Sequence, residues 1–169
     1  MNRVEAAIGS VVFFVLAPGT VAGLVPCWIS GGWTLATPFF GAEPLRLAGV
    51  ALVAAGLVVL IDSFGRFALQ GIGTPAPVLP TKHLVVSGWY RHVRNPMYVA
   101  VVSVILGQAL LFANAWLLAY AGLIWLGFYG FVTQYEEPTL RQTFGQDYEV
   151  YCRGVGRWLP RVMPWRAQS

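Results

Sequence analysis

"PMYVAVVSVILGQALLFANAWLLAYAGLIWLGFYGFVTQY", Pro96 to Tyr135, contains no Asp, Glu, Lys or Arg. A helix crosses the roughly 30 Å hydrocarbon core of a bilayer in about 20 apolar residues. This run is about twice that length, so it predicts a helical hairpin, with "FANAW" around Asn114 as its turn. An all-α, polytopic membrane bundle of about four transmembrane helices follows, once matching spans are found upstream.

They are found there. Ala6 to Ile29 reads as a first span bent near Pro18, and Leu45 to Leu69 as a second. Arg46 and Arg66 extend the short uncharged centre of the second by snorkelling to the headgroups. The linker "SGGWTLATPFFGAEP" carries Trp33, Phe39 and Phe40 as interfacial aromatics. Val4 to Ala22 begins like a signal peptide, but Glu5, Pro18 and Gly19 interrupt it, and a retained helix is expected. Composition agrees. Of 169 residues, 57% are hydrophobic and only 11% charged, whereas a soluble domain usually carries about 25% charged residues. Mean hydropathy is +0.63. One unit, 1–169, is expected: two spans in 1–69, a loop in 70–95, the hairpin in 96–135 and a C-terminal segment in 136–169.

Charge gives the orientation. With four spans, Arg3, Arg66, Lys82, Arg91, Arg94, Arg141, Arg153, Arg157, Arg161 and Arg166 share one side, and Arg46 alone is on the other. The positive-inside rule puts both termini and the 70–95 loop in the cytoplasm, at the plasma (inner) membrane if the source is bacterial. The net charge of +4 and pI near 9.4 come without a basic stripe, which argues for anionic membrane lipids and against nucleic acid. Cys27 and Cys152 fall on opposite sides and cannot bridge. No metal motif is present. Nothing in the sequence sets an oligomeric state.

Just before the hairpin stands "GWYRHVRNP", Gly88 to Pro96. Asn95 is a preferred N-cap, and Pro96 suits the first helical position. The helix should open with free backbone N–H groups, a site for a carboxylate or phosphate, and Arg94 adds a planar charged fork beside it. A capped helix whose arginines bind lipid phosphates explains the local pattern equally. Just after the hairpin come Glu136 and Glu137, then Pro138, which is expected to break the helix. Carboxylates at a membrane edge need water, partners or a function; Arg141, four residues on, is an available partner for Glu137. Leu140, Phe144, Tyr148 and Tyr151 then recur on one face of an amphipathic helix, Pro138 to Tyr151, able to lie at the interface and roof a cavity. Asp62 and Arg66 read as an intrahelical pair. Gln108 and Gln134 line the cavity or bond across helices, and Gly107, Gly122, Gly127 and Gly130 read as points of close helix approach.

Two spaced motifs result. The first holds His83, Leu84, Val85, Gly88, Tyr90, Arg94-Asn95-Pro96 and Tyr98; the second holds Glu136-Glu137-x-x-Leu140, Phe144-Gly145-x-x-Tyr148-x-x-Tyr151, Val155 and Pro160. Together they resemble the isoprenylcysteine carboxyl methyltransferase and phospholipid methyltransferase superfamily of integral membrane enzymes. The resemblance implies S-adenosyl-L-methionine as methyl donor, S-adenosyl-L-homocysteine as product, and a cofactor pocket beneath the C-terminal helices. It implies a lipophilic or lipid-linked acceptor, an isoprenylcysteine-like carboxylate or a lipid amine, arriving from the bilayer. By resemblance the cofactor contacts are His83, Leu84, Val85, Gly88, Tyr90, Arg94, Asn95, Pro96, Tyr98, Glu136 and Glu137, with Arg94 and Glu137 as the catalytic pair. The residue chemistry fits: a carboxylate suits Arg94, ribose hydroxyls can donate to Glu136 or Glu137, and Tyr90 or Tyr98 offers a π face to a sulfonium.

Two departures stand out. The better-known relatives have His at the place of Asn95. The carboxyl methyltransferases usually carry an arginine shortly before the glutamate pair, and no arginine lies between Arg94 and Arg141 here. The alternatives are a membrane NADPH-dependent reductase of sterol-reductase-like type, which shares an "FG..Y..YC" tail, and a non-catalytic membrane subunit.

Overall fold

The computed structural model describes residues 3–70 and 84–166. Among them the chain is helical, without strands. Helix α1 (Arg3–Leu16) leads past Pro18 into a π-helical turn (Thr20–Leu24) and on to α2 (Val25–Ile29). Helical bonds persist around Pro18, from Ala17 N–H to Phe13 O (2.8 Å) and Val21 N–H to Ala17 O (2.9 Å), so the span bends without breaking.

The wide turn leaves carbonyls for other segments to satisfy. The Tyr120 hydroxyl donates to Val21 O (3.0 Å), and the buried Gln108 amide donates to Ala22 O (2.7 Å). Gln108 Oε1 in turn accepts from the Trp33 indole (3.0 Å), so this side chain is a bond across helices. Gln108→Leu leaves the Ala22 carbonyl without its partner and should cost about 1–2 kcal/mol. A thermal midpoint in detergent equal to that of the parent would show that the bond contributes nothing.

Helix α3 (Glu43–Gln70) carries the expected pair, with Arg66 Nε donating to Asp62 at 2.8 Å. Helices α4 (Pro96–Phe112) and α5 (Ala115–Phe131) form the hairpin. Ala113 turns with φ 50°, and the Asn114 side chain accepts from Trp116 N–H (3.0 Å) and Leu117 N–H (3.3 Å), capping α5. Among the described residues, three helices are long and apolar enough to cross a membrane: Val11–Ile29, Glu43–Arg66 and Ala115–Gly154. Helix α4, at 17 residues, reaches about 25 Å and forms the centre. Its Ala100, Val101, Val104 and Ile105 pack with Leu60 and Phe64 of α3, Ala121 of α5 and Ala22. Burial on several sides explains why α4 is apolar nearly all round.

Glycine sets the α3–α4 spacing. A β-carbon on Gly107 would lie 2.7 Å from Gly49 O and 2.8 Å from Val53 N, and one on Gly56 would lie 2.7 Å from Val104. Gly107 thus serves close approach as expected. Gly122 and Gly127 do not, since their missing side chains would meet open space, and Gly130 has only the end of Gln134 at 3.9 Å. Among the described residues, no other helix comes within 4 Å of a β-carbon at these three positions.

Pro138 does not break the chain. A second π-helical turn (Val132–Glu136) joins α5 to α6 (Glu137–Gly154), with Glu137 N–H reaching back to Val132 O. The widened turn absorbs the proline, whose ring would collide with a carbonyl in a regular helix. The sharp bend comes later, at Gly145 (φ 50°, ψ −121°). It brings Arg141 and Glu149 to 2.8 Å, although eight residues of straight helix would separate them by about 12 Å. Beyond the bend Tyr148, Tyr151 and Val155 pack with Leu84, Val86, Leu140, Phe144 and Trp165, which completes the anticipated apolar face.

Candidate functional site

The arginine-rich end of the bundle is assembled from two stretches, 84–98 and 136–166. In the first, Gly88 turns with φ +53° against the Arg66 side chain, where any β-carbon would collide. A 3-10 turn (Gly88–Arg91) follows. Tyr90 within it is buried, and its carbonyl accepts from the Tyr151 hydroxyl at 2.6 Å. Burial pushes the Tyr90 phenol well above its ordinary pKa, so it stays neutral. The tail runs beside this stretch. Arg94 N–H donates to Gly156 O, Arg161 N–H to His92 O and Trp165 N–H to Arg91 O, each at 2.9 Å. Gly154 has no side chain because the Trp165 ring occupies that space.

Glu137 lies at the junction, 3% exposed. Arg157 grips it with both branches of its fork, Nε to Oε1 at 2.6 Å and a terminal nitrogen to Oε2 at 2.8 Å. Arg94 approaches the same carboxylate at 3.3 Å. The hydrogen bond to Glu137 raises the Arg157 pKa further. Arg141, the partner suggested by helical spacing, is absent from this group, because the Gly145 bend turns it to Glu149. Arg94 also donates to Cys152 Sγ (2.6 Å), while its Nε is buried without a hydrogen-bond partner.

Asn95 occupies the N-cap position of α4, but its side chain does not cap. The tail passes over it and offers the Arg157 carbonyl, to which the Asn95 amide donates at 3.1 Å. Pro96 is buried at the first turn. One turn further on, the Tyr98 hydroxyl donates to Glu136 at 2.8 Å. The Tyr98 ring packs on Phe128 (4.6 Å between centroids) and forms part of the wall of an apolar cavity of about 220 Å³. Phe13, Val21, Phe64, Met97 and Phe128 line the rest with their neighbours.

The structure therefore brings Arg94, Asn95, Pro96, Tyr98, Glu136 and Glu137 into one cluster. Gly88 and Tyr90 support it from behind. Leu84 packs into the Tyr148–Tyr151 group and Val85 is buried. His83 lies outside the described residues. Sequence reasoning did not single out Arg157, Cys152 or Trp158. The available signal was energetic: a carboxylate as enclosed as Glu137 demands a forked donor from a distant segment. Trp158 sets its ring edge-on to Trp125 (4.6 Å) and near Tyr129 (6.3 Å), and its indole N–H is buried without a partner. Among the described residues, no group of His, Cys, Asp and Glu could hold a metal ion.

A family model described as phospholipid methyltransferase matches residues 45–147, from the first turn of α3 to the bend in α6. No curated protein matches the chain, and neither does any solved structure.

Proposed function

The chain belongs to the phospholipid methyltransferase family, and from that premise we propose that this membrane methyltransferase takes S-adenosyl-L-methionine as donor and a lipophilic acceptor from the bilayer. The observation that carries the proposal is Arg94. Its side chain is nine-tenths buried, its Nε lacks a partner, and it stands beside the start of α4. Close by, Tyr98 and Glu136 mark the polar end of an apolar cavity.

These residues fit such a cofactor. The Arg94 Nε–H and the first backbone N–H groups of α4 suit its carboxylate. Glu136 suits ribose hydroxyls, and the Tyr98 ring presents a π face for a sulfonium. When bound, S-adenosylmethionine supplies an electrophilic methyl carbon. What the chain must do is align the acceptor with that carbon and keep water out. Glu137 holds Arg94 and Arg157 in place, and the tail segment pinned at 91–94 covers the site. The cavity takes hydrocarbon from the acceptor. A carboxylate acceptor needs no base. An amine must lose a proton, and Glu136 is better placed to receive it than Glu137, which two guanidiniums already hold. No arginine lies between Arg94 and Arg141 to receive an acceptor carboxylate, which favours the amine. Both termini lie on the arginine-rich, cytoplasmic side in this reading.

Purified protein in bilayers, supplied with tritiated methyl donor and a lipid extract, should move label into the organic phase; an unlabelled phase from active preparations would count against the proposal. Titration should detect S-adenosylhomocysteine and not NADPH, which separates transferase from reductase. Arg94→Ala should weaken S-adenosylhomocysteine binding roughly 10- to 100-fold, the loss of a charge-assisted hydrogen bond worth about 1.5–3 kcal/mol, with membrane insertion unchanged. Equal affinity in the variant would remove Arg94 from the site.

A further inference from the structure

We infer that the segment from Trp158 to Trp165 is an interfacial wedge that seats in the headgroup region of an anionic bilayer beside α5. Its apolar side chains point away from the protein: Leu159 is 83% exposed, Val162 94% and Met163 75%. Such exposure usually marks a mobile tail, yet this one is tied down. Backbone bonds fix it at Gly156, Arg161 and Trp165, the Arg161 side chain donates to Gly154 O (2.5 Å), and Arg91 Nε donates to Trp165 O (2.7 Å). A segment held this firmly displays apolar groups to a surface that wants them.

Trp158 sets the segment against α5. Its ring meets Trp125 and Tyr129 on the outer side of that helix, where Tyr129 is 47% exposed, and Leu159 follows directly. Tryptophan and tyrosine beside exposed apolar groups match the composition of the aromatic belt at a membrane interface.

Charge identifies the partner. After Glu149 the chain has no further carboxylate side chain, but it has Arg153, Arg157, Arg161 and Arg166. Glu137 neutralises Arg157; Arg153, Arg161 and Arg166 are exposed. Apolar groups interleaved with exposed arginines suit lipid phosphates over buried acyl chain. A second copy of this chain would have to bring acidic side chains to the patch, and the chain's exposed acids are few.

The test uses the full chain in vesicles. Leu159→Cys and Val162→Cys, at exposed positions, are labelled with an environment-sensitive fluorophore; the parent is labelled in parallel to subtract Cys27 and Cys152. In phosphatidylcholine vesicles containing phosphatidylglycerol, emission should shift to the blue. A lipid nitroxide near the headgroup should quench roughly half of it. Omitting phosphatidylglycerol, or adding Arg161→Glu and Arg166→Glu, should weaken that quenching. Water-like emission without quenching overturns the inference. So does a blue shift that persists in detergent, grows with protein concentration and ignores the lipid quencher, because another copy of the chain then covers the patch.

Discussion

Glu137→Ala should lower the thermal midpoint sharply and abolish S-adenosylhomocysteine binding together. The carboxylate is 3% exposed and answers two guanidiniums, Arg157 at 2.6 Å and Arg94 at 3.3 Å. Removing one partner of a buried ion pair costs about 3–5 kcal/mol, because the remaining charge stays in a medium that solvates it poorly. Arg157 keeps a third of its side chain in solvent, which places the effect at the lower end, about 3 kcal/mol. A double variant separates stability from recognition. With Glu137→Leu and Arg157→Met, no charge is stranded between them, and apolar replacement of a buried pair is often neutral or stabilising. The midpoint should recover only in part, because buried Arg94 still lacks its carboxylate, and binding should not recover, since Arg94 has lost its support. A single variant with parental midpoint and parental affinity would show that the cluster neither holds the fold nor shapes the site.

Gly107→Leu should prevent the bundle from forming. The nearest atoms to an added β-carbon are the Gly49 carbonyl oxygen at 2.7 Å and the Val53 nitrogen at 2.8 Å, and backbone within a helix cannot step aside. Helices α3 and α4 would have to separate along their whole contact, costing about 3 kcal/mol or more. In hydrocarbon there is no hydrophobic drive to draw them back, because close packing itself holds such helices together. Gly122→Leu is the matched control, since open space surrounds that position. The expected result is loss of monodisperse protein for the first and parental behaviour for the second. Equal behaviour of the two would mean that the glycine contact does not set the spacing.

Much of the architecture was legible because membrane crossing is written in long runs. The uncharged stretch from Pro96 to Tyr135 gave the hairpin, and Asn114 lies at its turn because only a polar cap belongs there. The meeting of Arg94 with Glu137 was also foreseeable, since a helix start and a helix end that share the polar side of a bundle cannot be far apart. Helical spacing failed where the chain leaves regular geometry. It offered Arg141 to Glu137, but the Gly145 bend gives Arg141 to Glu149, and Arg157 takes its place from twenty residues away. Asn95 kept its position but not its task, because a tail carbonyl outcompeted the helix start. Glycines were visible as small residues, yet the face each one occupies depends on neighbours that sequence does not reveal. Gly49 therefore went unremarked, and Gly122 was overvalued.

The widened turn in the first span bears on how the protein is made. The carbonyls of Val21 and Ala22 find their donors in Tyr120 and Gln108, side chains translated long after the span itself has left the ribosome. Lipid offers no substitute donor in the meantime. A span synthesised before the hairpin is consequently finished only with it, and nascent chains must pass through a stage in which it waits, half satisfied, for the hairpin to arrive.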